Sequence, residues 1–348
     1  MAVGDEAKVG ANSWTVYQLE TTYGTDAVTS TSFKMLQPLS VGFKVTIDSM
    51  KLEELSVNRG FARRVQTNRQ ANGTLEMYAH PDEQIGLWAN ALGGTFTFAS
   101  LTSGALFSIT SGNWSTGATA LSLSFQVRKG DAHSFKYLGG VVNTLRLSGK
   151  VGEPLKLTAE LVFQDGSDTT AELVTMTAAM SYSSSPPFIF NQAYFAYSNS
   201  DTSANTTTAR EPIQEFELEI NNNLVTDDAA RQLGTRVLSR RPPGQKRDVK
   251  LRITQRFDTT TAMARFLQAT VGSVQILAEG ATISAEQSLA ALYIRLPLVY
   301  QNSSDPEVGG PGVIQAQIEY DCVLDLSPAT TTARDIGVTL RSARTTNI

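Results

Sequence analysis

Apolar and polar residues alternate along much of this chain of 348 residues. Alternation with a period of two is typical of strands that bury one face. One such run, "VGFKVTID" (residues 41–48), resembles a later run, "EFELEIN" (215–221), and Phe43 matches Phe216 at a spacing of 173 residues. The pattern predicts a β-rich fold and raises the question of an internal repeat.

A second pair of segments follows in the same order. "GTLEMYAHPD", starting at Gly73, resembles "VKLRITQRFD", starting at Val249, at a spacing of 176 residues. Each continues into a short apolar segment that ends at a glycine, Gly93 or Gly272, and each is predicted to be a helix with a C-terminal glycine. Alternating strands can resemble one another by chance, but three matches in one order favour a duplication.

The repeat suggests a division of the chain. We expect an N-terminal arm (residues 1–14), a first domain (15–203), a second domain (204–326) and a C-terminal arm (327–348). The first domain is the larger and has room for an extra hairpin. It also contains an uncharged aromatic stretch from Leu173 to Ser200, expected to pack between the copies or against another subunit.

Composition excludes several classes of protein. Twenty-nine basic and 33 acidic residues leave a net charge of −4, which does not suit a general nucleic-acid binder. Residues 1–10 contain charges and no apolar stretch, so no signal peptide is expected. The uncharged run 84–127 is broken by glycines and alternates with Ser and Thr, which indicates strands and turns instead of a membrane span.

Candidate catalytic residues are few. Cys322 is the only cysteine and lies in a predicted strand, while His80 and His133 lie at predicted turns without partner patterns. We therefore expect no enzyme activity, no cofactor and no metal site.

Charge is concentrated on the long connections between the matched strands. Each connection starts acidic and ends basic, so one copy could meet another head to tail. These residues are predicted inter-ring or inter-subunit contacts, although charged runs are often only solvated loops. They are Glu53, Glu54, Arg59, Arg63 and Arg64 in the first connection and Asp227, Asp228, Arg236, Arg240, Arg241 and Arg247 in the second.

The strand faces carry a related pattern. Glu217 and Glu219 share one face of their strand, and Lys250 and Arg252 lie on the polar face of its expected partner. Cross-strand ion pairs explain this arrangement. The alternative is that the polar face lines a channel, with Glu217 and Glu219 as lumen-facing candidates.

Three segments resemble tail tube proteins of long, non-contractile-tailed bacteriophages. The first is "QLETTYGTDAVTSTSFKMLQPLS", with Glu20, Tyr23, Gly24, Thr25 and Phe33 in the order of the family pattern. The others are "RQANGTLEMYAHPDEQIGLWANALGG" and "YLGGVVNTLRLSG". The resemblance covers about residues 15–165 directly and reaches the second copy through the repeat.

The resemblance implies small β-sandwich or barrel domains with a flanking helix, whose sheets join neighbours into a closed inner barrel. Rings of six such domains stack into a hollow tube for double-stranded DNA. Two domains in one chain would make the ring a trimer with pseudo-sixfold symmetry. The implied partners are further copies of the chain and the tape measure, tail terminator and distal tail proteins, with DNA only in transit. The protein would be made and assembled in the host cytoplasm and reside in the virion tail.

A fibre-like or carbohydrate-binding β-sandwich is the alternative interpretation. In that case the aromatic residues from Phe188 to Tyr197 would form the contact surface, with Tyr194 and Tyr197 essential for binding. A self-assembling subunit needs the acidic-to-basic connections, and a carbohydrate-binding module does not.

Overall fold

The structure is a computed structural model. It describes residues 13–25, 33–53, 60–61, 63–93, 96–100, 104–110, 122–130, 133–168, 182–183, 185–198, 210–227, 230–257, 260–283, 288–307, 313–325 and 334–343.

The fold is mostly β, as predicted, and its strands fall into two sets. The N-terminal set comprises β1 (Trp14–Glu20), β2 (Lys34–Leu36), β3 (Pro38–Val41), β4 (Lys44–Leu52), β5 (Arg63–Tyr78), β6 (Phe96–Ser100), β7 (Ala105–Thr110), β8 (Ser122–Lys129), β9 (His133–Lys150), β10 (Lys156–Phe163) and β11 (Asp165–Asp168). The C-terminal set comprises β12 (Ala193–Ser198), β13 (Ile213–Asn221), β14 (Asp248–Arg256), β15 (Gly272–Ile283), β16 (Ser288–Glu307), β17 (Gln315–Cys322) and β18 (Gly337–Ser342). The helices are α1 (Ile85–Leu92) and α2 (Thr261–Leu267).

One long antiparallel sheet runs through both sets. Its order is β4–β5–β10–β9–β13–β14–β17–β16, so the two sets join where β9 pairs with β13. β3 extends β4 along the edge of β5. One contiguous core underlies this sheet, and its aromatic part includes Phe43, Phe125 and Phe163, with ring centroids 4.8–5.8 Å apart.

The two strand sets share one pairing order. β1 pairs with β8, and β9 then pairs successively with β8 and with the β10–β11 segment. In the C-terminal set β12, β15, β16 and the β17–β18 segment take the same relative places. The β6–β7 hairpin is present only in the N-terminal set of the described strands, where an extra hairpin was expected.

Register shifts recur at three corresponding places. β3 shifts on β5 between Pro38 and Ser40, as β13 shifts on β14 between Ile213 and Glu215. β8 shifts on β9 after Leu123, as β15 shifts on β16 after Gly272. A bulge is a specific local feature, and it gives a strand alignment that alternation cannot.

The third shift lies in the two long central strands, where the residue skipped by the pairing is Asn143 in β9 and Asn302 in β16. Together the shifts align Val41 with Phe216 and Phe43 with Leu218. The alignment of Phe43 with Phe216 that the sequence suggests is therefore displaced by two residues from the alignment in the structure.

The two predicted helix ends differ in outcome. α1 is buried along its whole length and ends at Gly93, which has a left-handed φ of 59° and donates its N–H to Ala89 O. That prediction is confirmed. α2 ends at Leu267, and Gly272 instead starts β15, so the second prediction is wrong. A Cβ on Gly272 would lie 2.3 Å from the hydroxyl oxygen of Tyr197, so this glycine makes room for an aromatic ring.

The expected C-terminal arm contains part of the folded body. Residues Gly337–Ser342 form β18, which pairs with β16 on one side and with β7 on the other. Val338 and Leu340 are buried in the core. The apolar side chains of "GVTLRS" alternate like those of the other strands, and the surrounding Thr and Arg residues obscured this pattern. Residues 327–333 and 344–348, and most of the N-terminal arm, lie outside the described residues.

The described part of the aromatic stretch, residues 182–183 and 185–198, packs against the rest of the chain. Phe188 is buried, and its backbone N–H donates to Ala79 O while its carbonyl accepts from Leu155 N–H. Asp82 accepts hydrogen bonds from the hydroxyls of Ser183 and Ser185 at 2.7 and 2.9 Å. The Pro-Asp turn before α1 therefore pins this stretch against the N-terminal set.

Candidate functional site

The outer face of the long sheet is covered with charged side chains. Because the apolar residues of these strands point into the core, the alternating polar residues share the opposite face. Acidic residues outnumber basic ones on it. The charged members are Lys44, Glu76, Arg146, Lys150, Lys156, Glu160, Glu215, Glu217, Glu219, Asp248, Lys250, Arg252, Arg256, Glu319 and Asp321.

Two arginines each bridge a pair of carboxylates on this face. Arg146 lies 3.3 Å from Glu219 across the β9–β13 junction and 3.4 Å from Glu160 on β10. The hydrogen bond that Arg146 donates to the Glu219 carboxylate raises the pKa of the Arg146 guanidinium above its ordinary value. Arg252 lies 3.8 Å from Glu217 and 3.5 Å from Glu319. These side chains are partly exposed, so each ion pair stabilises the fold little.

Part of this face could be predicted from the sequence. Glu217 and Glu219 were expected on one strand face and Lys250 and Arg252 on the polar face of its partner, and β13 and β14 pair Glu217 with Arg252 and Glu219 with Lys250. Arg146, Glu160 and Glu319 were not predicted, although the alternation in "NTLRLSG", "TAELVF" and "QIEYDC" places them on the polar face.

The first charged connection extends a hairpin away from the sheet. Glu53 follows the end of β4, and Arg63 and Arg64 start β5; all three are exposed. Glu54 and Arg59 lie outside the described residues.

This hairpin also carries exposed apolar side chains on both strands, which a folded monomer has no reason to expose together. They are Val45, Ile47, Met50, Phe61 and Val65, between 37% and 59% exposed.

The second charged connection folds back onto the N-terminal set. Asp227 and Arg240 are exposed, and Asp228 lies outside the described residues. Arg236 donates from Nε to Thr67 O and from an Nη to Gln66 Oε1, both at 3.1 Å. Its backbone carbonyl accepts the N–H of Arg69 at 2.8 Å. Arg236 therefore attaches this connection to β5.

Arg241 and Arg247 lie deeper than sequence reasoning suggested. Arg241 is half-buried near Tyr23, and burial lowers the pKa of its guanidinium to about 10. Arg247 forms an ion pair with Asp335 at 3.2 Å and donates to Leu92 O at 2.6 Å and Asn222 Oδ1 at 3.1 Å. Arg247 thus joins β14, the end of α1 and the segment before β18.

The Glu-x-x-Tyr-Gly-Thr segment has a structural role in the described fold. Glu20 is buried and accepts hydrogen bonds from Gly24 N–H at 2.9 Å, Gly139 N–H at 2.7 Å and Ser122 Oγ at 2.6 Å. Burial raises the pKa of this carboxyl despite the three donors. The carboxylate fixes the turn after β1 against β8 and β9.

The aromatic residues that the alternative interpretation would use for ligand binding are engaged in the fold. Tyr197 is buried, and the Arg265 guanidinium lies 4.0 Å from its ring centroid. Tyr194 is half-buried beneath Arg210, at 3.7 Å.

Within the described residues, no group of three or more His, Cys, Asp or Glu side chains could hold a metal ion. Burial raises the pKa of the Cys322 thiol, which keeps it protonated. Among the helices of the described part of the chain, none has the length and apolar character needed to cross a membrane.

The comparison with family models agrees with the resemblance to tail tube proteins. The family model described as phage tail tube protein matches residues 10–322. Among solved structures, the chain is similar to the SPP1 tail tube, determined by solid-state NMR and cryo-EM. The identity is 14% over 39% of this chain and 75% of that chain, with a TM-score of 0.28. No curated protein matches. Because the family model spans most of the chain, this protein belongs to the phage tail tube protein family and is a structural component of the virion tail.

Proposed function

We propose that the chain carries the tube fold twice and that three chains close into a ring with pseudo-sixfold symmetry. The observation that supports this is the repeated order β4–β5–β10–β9 and β13–β14–β17–β16, with register shifts at corresponding places. In this account the second copy starts with β12, the counterpart of β1.

Barrel geometry favours three chains. With strands about 4.8 Å apart and tilted by about 40°, three chains of eight strands close at a backbone diameter of about 50 Å. Side chains extend about 5 Å from a sheet, which leaves an opening of about 40 Å. Two chains would leave about 20 Å, too narrow for free passage of a DNA duplex, and six would leave a far wider channel than DNA needs.

The charged face is the proposed lining of this channel, with Glu217 and Glu219 facing the lumen. Its carboxylates repel phosphates and pair with many of the basic side chains beside them, so DNA would pass without being held. A purely structural role also accounts for a charged face without catalytic residues, and we propose that the protein is not an enzyme.

Rings would stack through contacts that include the exposed charges of the two connections. Such a contact is heterologous and does not close, so it produces a filament. The tape measure, tail terminator and distal tail proteins are the proposed partners at the tube lumen and ends, and assembly is proposed to occur in the host cytoplasm.

Negative-stain electron microscopy at rising protein concentration tests this function. The expected result is rings and hollow tubes, with dilute samples monomeric by light scattering. A protein that stays monomeric at every concentration, also when seeded with preformed tail tips, would contradict the proposal.

A further inference from the structure

We propose that β16 of one chain pairs with β4 of the next in the register of the internal β9–β13 junction, so that Lys44 lies opposite Asp305. This inference rests on the proposed function and adds to it the two strand edges, their register and a charge pair.

Both edges are open within the part of the chain that the structure describes. Among the described strands, β4 pairs only with β5, and β16 from Tyr300 to Glu307 pairs only with β17. The corresponding edge of β9 is occupied, because residues 144–150 pair with β13. Edges of this kind attract another strand, and the occupied one provides the template.

Because the register shifts are shared, each residue of the internal β9–β13 junction can be matched to a residue of β16 or β4. Asn143 corresponds to Asn302, which places Asp305 where Arg146 stands in β9. Pro38 corresponds to Ile213, which places Lys44 where Glu219 stands in β13. In the internal junction Arg146 and Glu219 are directly opposed and form an ion pair at 3.3 Å.

The inferred junction therefore repeats the internal ion pair with its charges exchanged. A basic residue stands on β9 and an acidic one on β13 within the chain, while Asp305 and Lys44 reverse these signs between chains. The exchange gives each edge a preferred partner. If β16 paired with a β13 edge instead, Asp305 would lie opposite Glu219, and the two negative charges would repel.

Hydrogen bonding is compatible with this register. In the internal junction, Val151 N–H donates to Gln214 O. The backbone N–H and C=O groups of every second residue of β9 therefore point toward β13, and Leu147 is one of these residues. Its counterpart is Pro306, which has no N–H to donate. The opposing residue would be Phe43, whose carbonyl already accepts from the Tyr137 hydroxyl at 3.2 Å. The hydrogen bond that Pro306 cannot donate therefore does not leave the Phe43 carbonyl without a donor.

Burial on the two sides also supports a missing neighbour. Val45 is 37% exposed, whereas its counterpart Ile220 is fully buried. α1 receives hydrogen bonds at its C-terminal end from Asn222 and Arg247 of the following strand pair. Leu267, at the end of α2, is 71% exposed, on the side where the next chain would lie.

Disulfide crosslinking between neighbouring chains tests directly which residues of β4 and β16 lie opposite each other. In the variant with Lys44→Cys and Asp305→Cys, the two positions lie at opposite edges of eight strands, about 34 Å apart along the sheet, so a bond between them must join two chains. After assembly and oxidation, we expect dimers and trimers on a non-reducing gel, with the closed trimer as the end product. The controls are the parent chain with Cys322 alone and the pair Thr46→Cys with Asp305→Cys, which is displaced by two residues.

The outcomes separate this inference from the proposed function. Rings or tubes that stay uncrosslinked in the Lys44–Asp305 variant, or crosslink better in the displaced pair, would overturn the register and leave the tube function standing. Absence of any assembly from the parent chain would overturn both.

A charge exchange gives a second measurement. Lys44→Glu should weaken each junction about two- to fivefold, as for an exposed cross-strand pair, and adding Asp305→Lys should restore assembly. Equal assembly of the single and double variants would contradict the ion pair. Thermal unfolding of dilute monomers confirms that each variant is folded.

Discussion

The two connections between matched strands follow the same framework but fold differently. After Lys44, β4 and β5 continue as a paired hairpin that projects with exposed apolar side chains. After Asn221 the continuous β13–β14 ladder ends, and only a short isolated bridge between Leu224 and Gly244 continues it. The connection then packs onto β5, β9 and α1 of the same chain. The second connection adds contacts between the two strand sets, whereas the first projects with its apolar side chains exposed.

The local sequence explains the difference. The first connection continues the alternation of "KVTIDSMKL" and "RRVQTNRQ", which supports a long hairpin. The second contains Pro242-Pro243 and takes left-handed conformations at Asn223 and Gly234, with φ of 47° and 86°. Prolines and positive φ values interrupt a ladder, so this connection turns back instead of extending.

The largest effect is expected at Arg247, the central anchor of the folded-back connection. Arg247→Met removes the buried ion pair with Asp335 and the hydrogen bond to Leu92 O, which should lower the free energy of unfolding by about 3–5 kcal/mol. Urea unfolding of the dilute monomer measures this change. The matched control is Lys246→Met at an exposed neighbour, and equal stability of both variants would contradict the anchoring role.

Arg240 and Arg241 should separate folding from assembly. Arg241→Glu places a carboxylate in a half-buried position and should cost about 2–4 kcal/mol. Arg240→Glu, at an exposed position, should cost less than about 0.5 kcal/mol and still stop tube growth. Normal tubes from Arg240→Glu would remove this residue from the stacking contact, and a double substitution could not distinguish the two effects.

A smaller loss is expected at Arg236. Arg236→Ala removes two side-chain hydrogen bonds to Thr67 and Gln66 at an exposed site, which should cost about 1 kcal/mol. Denaturant unfolding compares it with Gln245→Ala on the same connection. Hydrogen exchange at Arg69, whose N–H is bonded to Arg236 O, should accelerate if the connection loosens.

The smallest effect on the monomer is expected in the hairpin. Met50 and Val65 are directly opposed and about half exposed, so changing both to Thr should alter monomer stability by less than about 0.5 kcal/mol. Assembly should need a higher protein concentration, which light scattering measures. A loss of more than about 2 kcal/mol in the monomer would show that the hairpin is part of the core and not a free contact surface.

The positions of the strands and their buried faces could be predicted from the sequence, but the alignment of one strand set with the other could not. Period-two alternation specifies which face of a strand is buried, and a shift of two residues leaves that face unchanged. This is why Phe43 was matched to Phe216 while the bulges align it with Leu218. A bulge depends on how two distant strands pair, and nothing in either strand alone indicates it.

Contacts between side chains that lie far apart in the sequence could not be predicted either. Arg241 and Arg247 look like the other basic residues of a solvated loop, and only the tertiary fold buries them beside Tyr23 and Asp335. Gly272 was read as a helix end because glycine is common there, whereas the ring of Tyr197, from a different strand, requires it. Glu217 and Glu219 could be placed on a face because their environment is local to two adjacent strands.

The most direct test of the central claim is the number of chains in one ring. Native mass spectrometry of isolated rings, combined with symmetry from end-on cryo-EM class averages, measures it. The proposed duplication predicts three copies of the 37.6 kDa chain with six similar lobes around a hollow centre. Rings of six chains with twelve lobes, or six chains each contributing a single lobe, would contradict the account.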